Sequence, residues 1–402
     1  MLTYATFVTG LQAPISQWST EEGYRIRQVL DGAILYDAPK NVSRNTSKNP
    51  SQNKKALPCF FNTFSVLDFE KRSGLSAVES LMRKVLQRQF SNIPGTKKSR
   101  GSFRIVTSRE NQLIAVDKRL RSDVERLIAY KTGLVPDRRG GGREFWFLAR
   151  SEGIVLFMER QPSPKEHPLK KGELRPQLAY CLNRLAEPTL EDIMLDPFCG
   201  YGAITKARAA YFPCQNIYGM DNDAHKIKAL QSLRASGVKD LKINHLKIRN
   251  TNADSMKMNH KEVQSAVKYQ QGDIRRLSSI SPIGDSASID VIVTDPPWGL
   301  YGNDGHNAEA DIPALYTAAA AECIRVIKPG GRIVILTAQK ELMRMHINNG
   351  LWGNKECSQP LQHAQPPQNI HFPSRSLQLD ACYDILVSGQ KAAIFVIKAS
   401  AN

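Results

Sequence analysis

Between residues 193 and 337, short apolar segments alternate with stretches of helical periodicity, and this alternation restricts the possible folds more than any other feature. Short apolar strands joined by helices need crossover connections, so the pattern predicts an α/β fold with a parallel sheet. A ligand site is then expected at the carboxyl ends of the strands. The predicted strands are Ile193–Asp196, Ile217–Asp221, Val291–Asp295 and Ile333–Thr337, and the predicted helices are Thr205–Phe212, Ala224–Ser236 and Ile312–Ile327.

The regions on either side of this alternation have other patterns. Residues 102–158 predict a compact α+β unit, in which the apolar side of an amphipathic helix carries Val124, Leu127, Ile128 and Tyr130. Near the end of the chain, two apolar segments around a short polar turn predict a closing hairpin. The elements concerned are Ser102–Ser108, Arg121–Thr132, Glu144–Leu148 and Gly153–Met158 in the first region, and Tyr383–Val387 and Ala392–Ile397 in the hairpin.

Interruptions in these patterns suggest domain limits. Pro162, Pro164 and Pro168 disfavour helix and remove backbone donors, so we place a boundary there. Residues 41–55 are polar and are expected to form a mobile loop, whereas 241–264 and 349–380 are longer than ordinary connections and are expected to be insertions. The expected division is an amino-terminal part over 1–60, a second part over 61–160, a linker over 161–170 and a larger domain over 171–402.

The charge of the chain is unevenly distributed. The 55 Lys and Arg residues against 38 Asp and Glu residues give a formal net charge of +17. Residues 1–160 hold 27 basic and 15 acidic residues, a net of +12, and residues 161–402 hold 28 and 23, a net of +5. Because a basic surface attracts polyanions from a distance, the first half is predicted to meet a partner such as a nucleic acid.

The composition also excludes several classes of protein. The seven cysteines are odd in number and form no Cys-x-x-Cys pair, which argues against a disulfide framework and against a zinc site, so no metal is expected. Residues 1–20 lack the basic start and apolar core of a secretory signal, and no apolar run is long enough to span a membrane. These features predict a cytoplasmic protein with no membrane partner.

A glycine-rich turn follows the first predicted strand of the α/β region, in the segment LDPFCGYGAI. Gly200 and Gly202 let the backbone approach a ligand closely, and the helix after them offers free N–H donors. Asp196 and Phe198 belong to the same turn. We therefore expect these four residues to form part of a binding pocket.

Acidic residues end the strands that follow. Asp221, with Asn222 beside it, is placed to hold a ribose diol, and Asp273, with Ile274 beside it, is placed to accept from the exocyclic amine of a base. The alternatives are that Asp221 caps the next helix and that Asp273 is an ordinary turn residue. Successive acidic strand ends suit a nucleoside better than a phosphate, which they would repel.

The most specific chemical motif is DPPWG at residues 295–299. The exocyclic amine of a base is a poor nucleophile because its lone pair is delocalised into the ring. The Asp295 carboxylate and a backbone carbonyl held by Pro296 can both accept from that amine and favour a pyramidal nitrogen, while Pro297 stiffens the turn. Trp298 offers a face on which a base can stack. Such chemistry needs positioning and no metal; the alternative is a rigid turn without chemistry.

Together these motifs resemble S-adenosylmethionine-dependent methyltransferases of the THUMP-associated RNA guanine-N2 group. GELRPQLAYCLNRLA, LDPFCGYGAI and DPPWG are similar to the cofactor-proximal, glycine and catalytic motifs of that group, and RGSFRIVTSRE and GLVPDRRGGGREFWFLAR to strands of a THUMP domain. The resemblance implies a Rossmann-like methyltransferase domain with a mostly parallel seven-stranded sheet and a closing antiparallel hairpin. It implies a ferredoxin-like and THUMP region, of the α+β class, before that domain.

The resemblance also implies roles for single residues, with S-adenosylmethionine as the cofactor. Tyr201 departs from the family, which usually has a small hydroxyl residue there, and Trp298 replaces the commoner tyrosine. The implied contacts are Asp196, Gly200 and Gly202 at the methionine side of the cofactor, Asp221 at its ribose, Asp273 at its adenine amine, and Asp295 with Pro296 at the target amine.

The implied partner is RNA, in particular tRNA, and the resemblance allows for a small activating subunit. Basic residues in two loops of the first half are the predicted RNA contacts, although such charges are often only a solvated surface. The resulting hypothesis is methyl transfer to the N2 amine of a guanosine, with adenine N6 methylation of RNA or DNA and non-enzymatic RNA binding as alternatives. The predicted RNA contacts are Lys97, Lys98, Arg100, Arg138, Arg139 and Arg143.

Overall fold

The computed structural model forms two compact units, residues 1–166 and residues 167–402. The expected loop 41–55, the insertion 241–264 and three of the predicted RNA contacts, Lys97, Lys98 and Arg100, lie outside the described residues. The described residues are 1–37, 56–74, 76–88, 101–110, 112–140, 142–162, 168–235, 266–299, 312–348 and 377–401.

The elements of the first unit are β1 (Leu2–Thr6), α1 (Gln12–Glu21), β2 (Arg25–Leu30), β3 (Ala33–Asp37), β4 (Asn62–Lys71), α2 (Ala77–Gln87), β5 (Ser102–Arg109), β6 (Gln112–Leu113), α3 (Lys118–Thr132), β7 (Val135–Pro136), β8 (Arg143–Arg150) and β9 (Ile154–Arg160). The strands form one nine-stranded sheet in the order β2-β3-β1-β4-β9-β8-β5-β6, with β7 paired to β5. Because β1 pairs with β4, the expected boundary at residue 60 falls inside this sheet. The predicted division into an amino-terminal part, a second part, a linker and a larger domain stays a prediction.

Helix α3 begins earlier than the apolar periodicity indicated. The Asp117 carboxylate accepts a 2.8 Å hydrogen bond from the Leu120 N–H and caps the first turn. The helix buries Val124 and Ile128, whereas Tyr130 is 84% exposed, so its expected place on the apolar side was wrong. Tyr130 comes two residues after Ile128, which places it roughly 200° further round the helix axis.

The second unit has the predicted α/β architecture. Its seven-stranded sheet has the order β12-β11-β10-β13-β14-β16-β15; neighbours from β12 to β14 are parallel, and the pairs β14–β16 and β15–β16 are antiparallel. The elements are α4 (Pro176–Leu185), β10 (Ile193–Asp196), α5 (Ala203–Tyr211), β11 (Asn216–Asp221), α6 (Ala224–Ala235), β12 (Ala266–Gln271), a 3₁₀-helix (Ile274–Ser279), β13 (Ile289–Thr294), α7 (Ile312–Val326), β14 (Ile327–Thr337), α8 (Lys340–Asn348), β15 (Leu377–Val387) and β16 (Gln390–Ala399). The prediction of a mostly parallel sheet closed by an antiparallel hairpin is confirmed.

Several bounds differ from the predicted ones. Strand β13 ends at Thr294, so Asp295 follows the strand instead of closing it. Strand β15 begins at Leu377, so the last residues of the expected insertion 349–380 belong to the hairpin, and the rest lies outside the described residues. The central strands are buried on both faces, as Met194 and Leu195 of β10 show, which explains why their sequences are apolar throughout.

A buried ion cluster lies at the amino-terminal end of the sheet, opposite the glycine turn. Asp192, just before β10, accepts hydrogen bonds at 2.6 Å from Arg208 of α5 and at 2.6 Å from Arg332 of β14. Arg208 and Asp192 are almost fully buried. Although burial alone would raise the pKa of Asp192, hydrogen bonds from Thr189 and Arg208 lower it, so the carboxylate is charged and ties three elements together.

Two other sequence-based expectations concern cysteines and membrane spans. Of the six cysteines that the structure describes, five are buried and Cys382 is exposed. Within the described ranges, no helix is both long and apolar enough to cross a membrane.

Candidate active site

The carboxyl end of β10 places Asp196 in the interior of the second unit. Its Oδ1 accepts from the Thr294 hydroxyl at 2.8 Å and from the Phe198 N–H at 3.2 Å, whereas its Oδ2 is buried and has no hydrogen-bond partner among the described residues. Burial, together with the nearby Asp295 and Asp221 carboxylates, raises the pKa of Asp196 to about 8. A cationic ligand beside Oδ2 would lower this pKa, favour the carboxylate and satisfy the free oxygen.

The glycine turn has the backbone conformation that its sequence predicts. Gly200 and Gly202 have φ angles of +53° and +78°, which residues with side chains rarely adopt. A Cβ atom on Gly202 would lie 3.0 Å from Leu230 and 3.1 Å from the Tyr269 hydroxyl. A Cβ atom on Gly200 would meet no atom of the described residues within 4 Å, so that part of the chain leaves the space beside Gly200 open to a ligand.

Asp221 closes β11 beside this turn and is bound to it. Its Oδ2 accepts from the Gly200 N–H at 2.8 Å and its Oδ1 from the Asp223 N–H at 2.9 Å. The start of α6 is capped by Asp223, whose carboxylate accepts from the His225 N–H at 2.9 Å. The capping role that the sequence allowed for Asp221 thus belongs to Asp223, while Asn222 is exposed.

Asp273 has the turn role that the sequence kept as an alternative. Its Oδ1 accepts from the Arg275 N–H at 2.9 Å at the start of the 3₁₀-helix, and its Oδ2 pairs with the Arg275 guanidinium at 2.5 Å. These hydrogen bonds from Arg275 lower the pKa of Asp273. Ile274 is buried in the core. An adenine amine at Asp273 would have to share the carboxylate with Arg275, and that contact stays a prediction.

The DPPWG segment forms a turn directly after β13. The Trp298 indole N–H donates to Asp295 Oδ1 at 2.8 Å. Burial raises the pKa of Asp295 to about 7, although the hydrogen bond from Trp298 acts to lower it. Pro296 is buried, Pro297 is exposed and Gly299 has a φ of +75°. The indole therefore has two possible uses, as a stacking face and as a donor to Asp295.

Polar residues of α7 and β14 hold the outer side of this turn, and the sequence did not single them out. The Tyr316 hydroxyl donates to the Pro297 carbonyl at 3.2 Å and lies 2.7 Å from the Thr337 hydroxyl. The Gln339 side-chain amide donates to the Trp298 carbonyl at 2.6 Å. A signal for them existed in the sequence, because Thr337 and Gln339 come at a predicted strand end, where ligand sites of parallel sheets occur.

Tyr201, the departure in the glycine turn, is surrounded by lysines. The Lys170 and Lys226 ammonium groups lie 4.5 and 5.7 Å from the centre of its ring. The Lys206 ammonium donates to the Tyr201 carbonyl at 2.8 Å, and burial together with Lys170 lowers the pKa of Lys206. The cation–π contacts thus fix the Tyr201 ring, and the three lysines form a basic edge beside the acidic turn.

The predicted RNA contacts that the structure describes lie in the first unit. Arg138 pairs with Glu125 at 3.3 Å and Arg143 with Glu159 at 2.5 Å. Arg139 is exposed, and the one hydrogen bond found for it within the described residues is from its backbone N–H to the Asp137 carboxylate at 2.9 Å. Paired arginines are partly neutralised, so these residues differ in the charge they can offer to a polyanion.

The site therefore combines three buried or half-buried carboxylates, an open glycine turn and a rigid proline turn at one edge of the sheet. It can hold a cationic ligand near Asp196 and accept hydrogen bonds from an amine near Asp295. Among the residues that the structure describes, no group of three or more His, Cys, Asp or Glu side chains is arranged to hold a metal ion.

Comparison with known proteins agrees with this geometry. Residues 165–359 match the family UPF0020, described as an RMKL-like methyltransferase domain. The tRNA (guanine(6)-N(2))-methyltransferase THUMP3 of Mus musculus is 34% identical over 177 residues, which cover 42% of this chain and 29% of the mouse protein. The tRNA (guanine(6)-N2)-methyltransferase of Thermus thermophilus is 23% identical over 256 residues, which cover 62% of this chain and 66% of that protein.

The fold itself has a close match among solved structures. The crystal structure of TrmN from Thermus thermophilus aligns with a TM-score of 0.65 and 19% identity, and the alignment covers 99% of both chains. At this identity the match shows the fold alone. The predicted Rossmann-like methyltransferase fold of the second unit is thereby confirmed.

Proposed function

We propose that the protein is an S-adenosylmethionine-dependent RNA methyltransferase that modifies the exocyclic N2 amine of a guanosine in tRNA. The observation that carries the proposal is the juxtaposition of an open, acidic glycine turn with a DPPW turn on the neighbouring strand β13. The matched methyltransferase family and the names of the two relatives support it.

The residues present fit S-adenosylmethionine. The unpartnered, buried Oδ2 of Asp196 suits the positive charges of that cofactor, and the open space beside Gly200 suits a closely bound ligand. Asp221 would accept from the ribose hydroxyls, since each carboxylate oxygen can accept more than the one hydrogen bond it already has. When bound, the cofactor would supply an electrophilic methyl group.

The chain's own residues would prepare the guanine amine. The Asp295 carboxylate and the Pro296 carbonyl would accept its two N–H groups and turn the nitrogen lone pair toward the methyl group. The nitrogen must lose a proton after transfer, and Asp295, with a pKa of about 7, is matched to accept it at neutral pH. The Trp298 ring would stack on the guanine.

RNA recognition is assigned to the first unit, as a ferredoxin-like and THUMP region with Arg138, Arg139 and Arg143 among its contacts. The basic excess of residues 1–160 supports this assignment, because phosphates are attracted by such a charge. The tRNA substrate rests on the names of the two relatives. The proposal includes a cytoplasmic location and leaves a place for a small activating subunit.

Incubation of the full-length protein with tRNA and S-adenosylmethionine labelled in the methyl group tests this function. We expect label in tRNA, and we expect calorimetry to show binding of the cofactor that is weakened by Asp221→Asn. Binding without transfer to any cellular RNA would leave a cofactor-binding protein and overturn the assigned reaction. No cofactor binding would overturn the proposal as a whole.

A further inference from the structure

A chain of hydrogen bonds with a buried centre runs behind the DPPW turn. It links α7 and the end of β14 to the backbone carbonyls of Pro297 and Trp298, through Tyr316, Thr337 and Gln339. Tyr316 is 2% exposed and Thr337 is fully buried. None of these three side chains belongs to the glycine turn or to the acidic strand ends.

The Gln339 backbone N–H donates to the Thr337 hydroxyl oxygen at 2.9 Å. The Tyr316 hydroxyl has one proton and two acceptors within reach, the Pro297 carbonyl at 3.2 Å and the Thr337 hydroxyl at 2.7 Å. When Tyr316 donates to the Pro297 carbonyl, the contact between the two hydroxyls is a donation from Thr337 to Tyr316, and both hydrogen bonds form together.

The same segment also holds the other end of the turn. The Gln339 side-chain amide donates to the Trp298 carbonyl at 2.6 Å, so one residue contributes both the first and the last bond of the network. Because Tyr316 is buried, a Pro297 carbonyl that turned away would leave the Tyr316 hydroxyl without this acceptor. The half-buried Gln339 amide holds the turn at a second point, the Trp298 carbonyl. The turn is thus fixed from its outer side.

This network leaves particular acceptors available. The carbonyls of Pro297 and Trp298 are occupied, whereas in the described part of the chain no hydrogen bond reaches the Pro296 carbonyl. Asp295 Oδ1 accepts from Trp298, and its Oδ2 has no donor among the described hydrogen bonds. The two acceptors that the proposed reaction requires are therefore the ones that the network does not use.

We propose that Tyr316, Thr337 and Gln339 are positioning residues, which fix the DPPW turn so that the Asp295 carboxylate and the Pro296 carbonyl meet the same target amine. The proposal rests on the proposed function for its catalytic consequence. It concerns the rate of transfer more than binding, because none of the three side chains is assigned to the cofactor or to the RNA.

The test uses the isosteric variant Thr337→Val in the full-length protein, with Thr337→Ser as the variant that keeps the hydroxyl. Thr317→Val is the matched control, since Thr317 follows Tyr316 on helix α7 and its hydroxyl donates at 2.9 Å to the Pro313 carbonyl, away from the turn. We expect Thr337→Val to lower kcat by about 10- to 100-fold, the effect of a small misplacement of a reacting group. KM for tRNA and cofactor affinity should stay close to wild type, and Thr337→Ser and Thr317→Val should retain kcat.

Hydrogen exchange gives a readout that does not depend on activity. In Thr337→Val, the Trp298 and Gly299 amides should exchange faster while those of β10 and β11 are unchanged. An unchanged kcat in Thr337→Val would overturn the proposal. So would a lower kcat with an equal loss of cofactor binding and no rescue by Thr337→Ser. If the wild-type protein transfers no methyl group, the proposed function fails. Hydrogen exchange then decides by itself whether the network fixes the turn. Unchanged exchange of the Trp298 and Gly299 amides in Thr337→Val would overturn the positioning role.

Discussion

At the scale of single residues, the site depends on what each carboxylate already accepts. Asp196 keeps one buried oxygen without a partner, Asp221 is used by the glycine turn, and Asp273 is paired with Arg275. The sequence placed all three at strand ends, but only side-chain geometry distinguishes them. The pairing of Asp273 with Arg275 and the capping of α6 by Asp223 depend on side-chain directions in local turns. A pattern of residue types does not give those directions.

The indole of Trp298 provides a test at this scale, because its N–H donates to the carboxylate assigned to the reaction. Trp298→Phe keeps an aromatic ring but removes the hydrogen bond that lowers the pKa of Asp295. The pKa should rise above its present value of about 7, so a higher pH is needed to ionise Asp295. We expect the acid limb of the profile of single-turnover transfer rate against pH to move to higher pH.

The measurement is made at saturating cofactor, so that titration of Asp196 does not enter through binding. Trp146→Phe is the matched control, because the Trp146 indole also donates to a carboxylate, that of Glu144, at 3.1 Å in the first unit. Superimposed profiles for Trp298→Phe and wild type, or a shift to lower pH, would contradict the assigned role of the indole.

At the scale of elements, the strand centres of the second unit were predictable and several ends were not. Apolar runs identified β10, β11, β13 and β14, because a parallel strand buried on both faces must be apolar throughout. Strand β12 was implied by the position of Asp273 but received no predicted bounds, since its sequence, AVKYQQ, is half polar. Strand β14 starts at Ile327, before a Lys-Pro-Gly-Gly segment that resembles a turn, and its register with β13 shifts there.

The glycine turn between β10 and α5 allows a prediction about stability. Gly202→Ala forces a side chain into a positive φ and places its Cβ 3.0 Å from Leu230. Gly389→Ala is the matched control in the same unit, because Gly389 has a φ of +84° but, among the described residues, nothing within 4 Å of a Cβ. Strained backbone of this kind costs about 1–3 kcal/mol. We expect Gly202→Ala to lower the free energy of unfolding by more than Gly389→Ala does.

Urea unfolding of the two variants measures this difference, and cofactor titration of the folded protein follows. Crowding at Leu230 should also displace the turn, so Gly202→Ala should weaken cofactor binding whereas Gly389→Ala should not. Equal destabilisation by the two substitutions would show that crowding against α6 has no part in forming the turn.

At the scale of the whole molecule, we propose that the first unit attracts the RNA and that the second carries out the chemistry. The charge division and the α/β architecture could be read from the sequence. The ion pairs that partly neutralise Arg138 and Arg143 could not, because Glu125 and Glu159 come from other elements. Because of these ion pairs, the net charge of +12 in residues 1–160 does not show which arginines are available to an RNA.

Salt dependence of tRNA binding by the full-length protein tests this division. A residue that contacts one phosphate contributes about one unit to the slope of log K against log salt concentration. We expect Arg139→Gln to reduce the slope by about one unit. Arg126→Gln is the control, because exposed Arg126 already pairs with Asp123 on the same helix. A salt-insensitive wild-type protein would contradict electrostatic delivery of RNA, and an unchanged slope in Arg139→Gln would exclude this contact.

Methyl transfer to guanine N2 at Asp295 can be measured by nucleoside analysis of tRNA after incubation with S-adenosylmethionine. Asp290→Asn is the matched control for Asp295→Asn, since Asp290 lies near the other end of β13 and pairs with Lys328 at 2.8 Å. We expect N2-methylguanosine from the wild type and from Asp290→Asn, and about 100-fold slower formation by Asp295→Asn with cofactor binding intact. N6-methyladenosine as the product, or equal rates for wild type and Asp295→Asn, would show that this assignment is wrong.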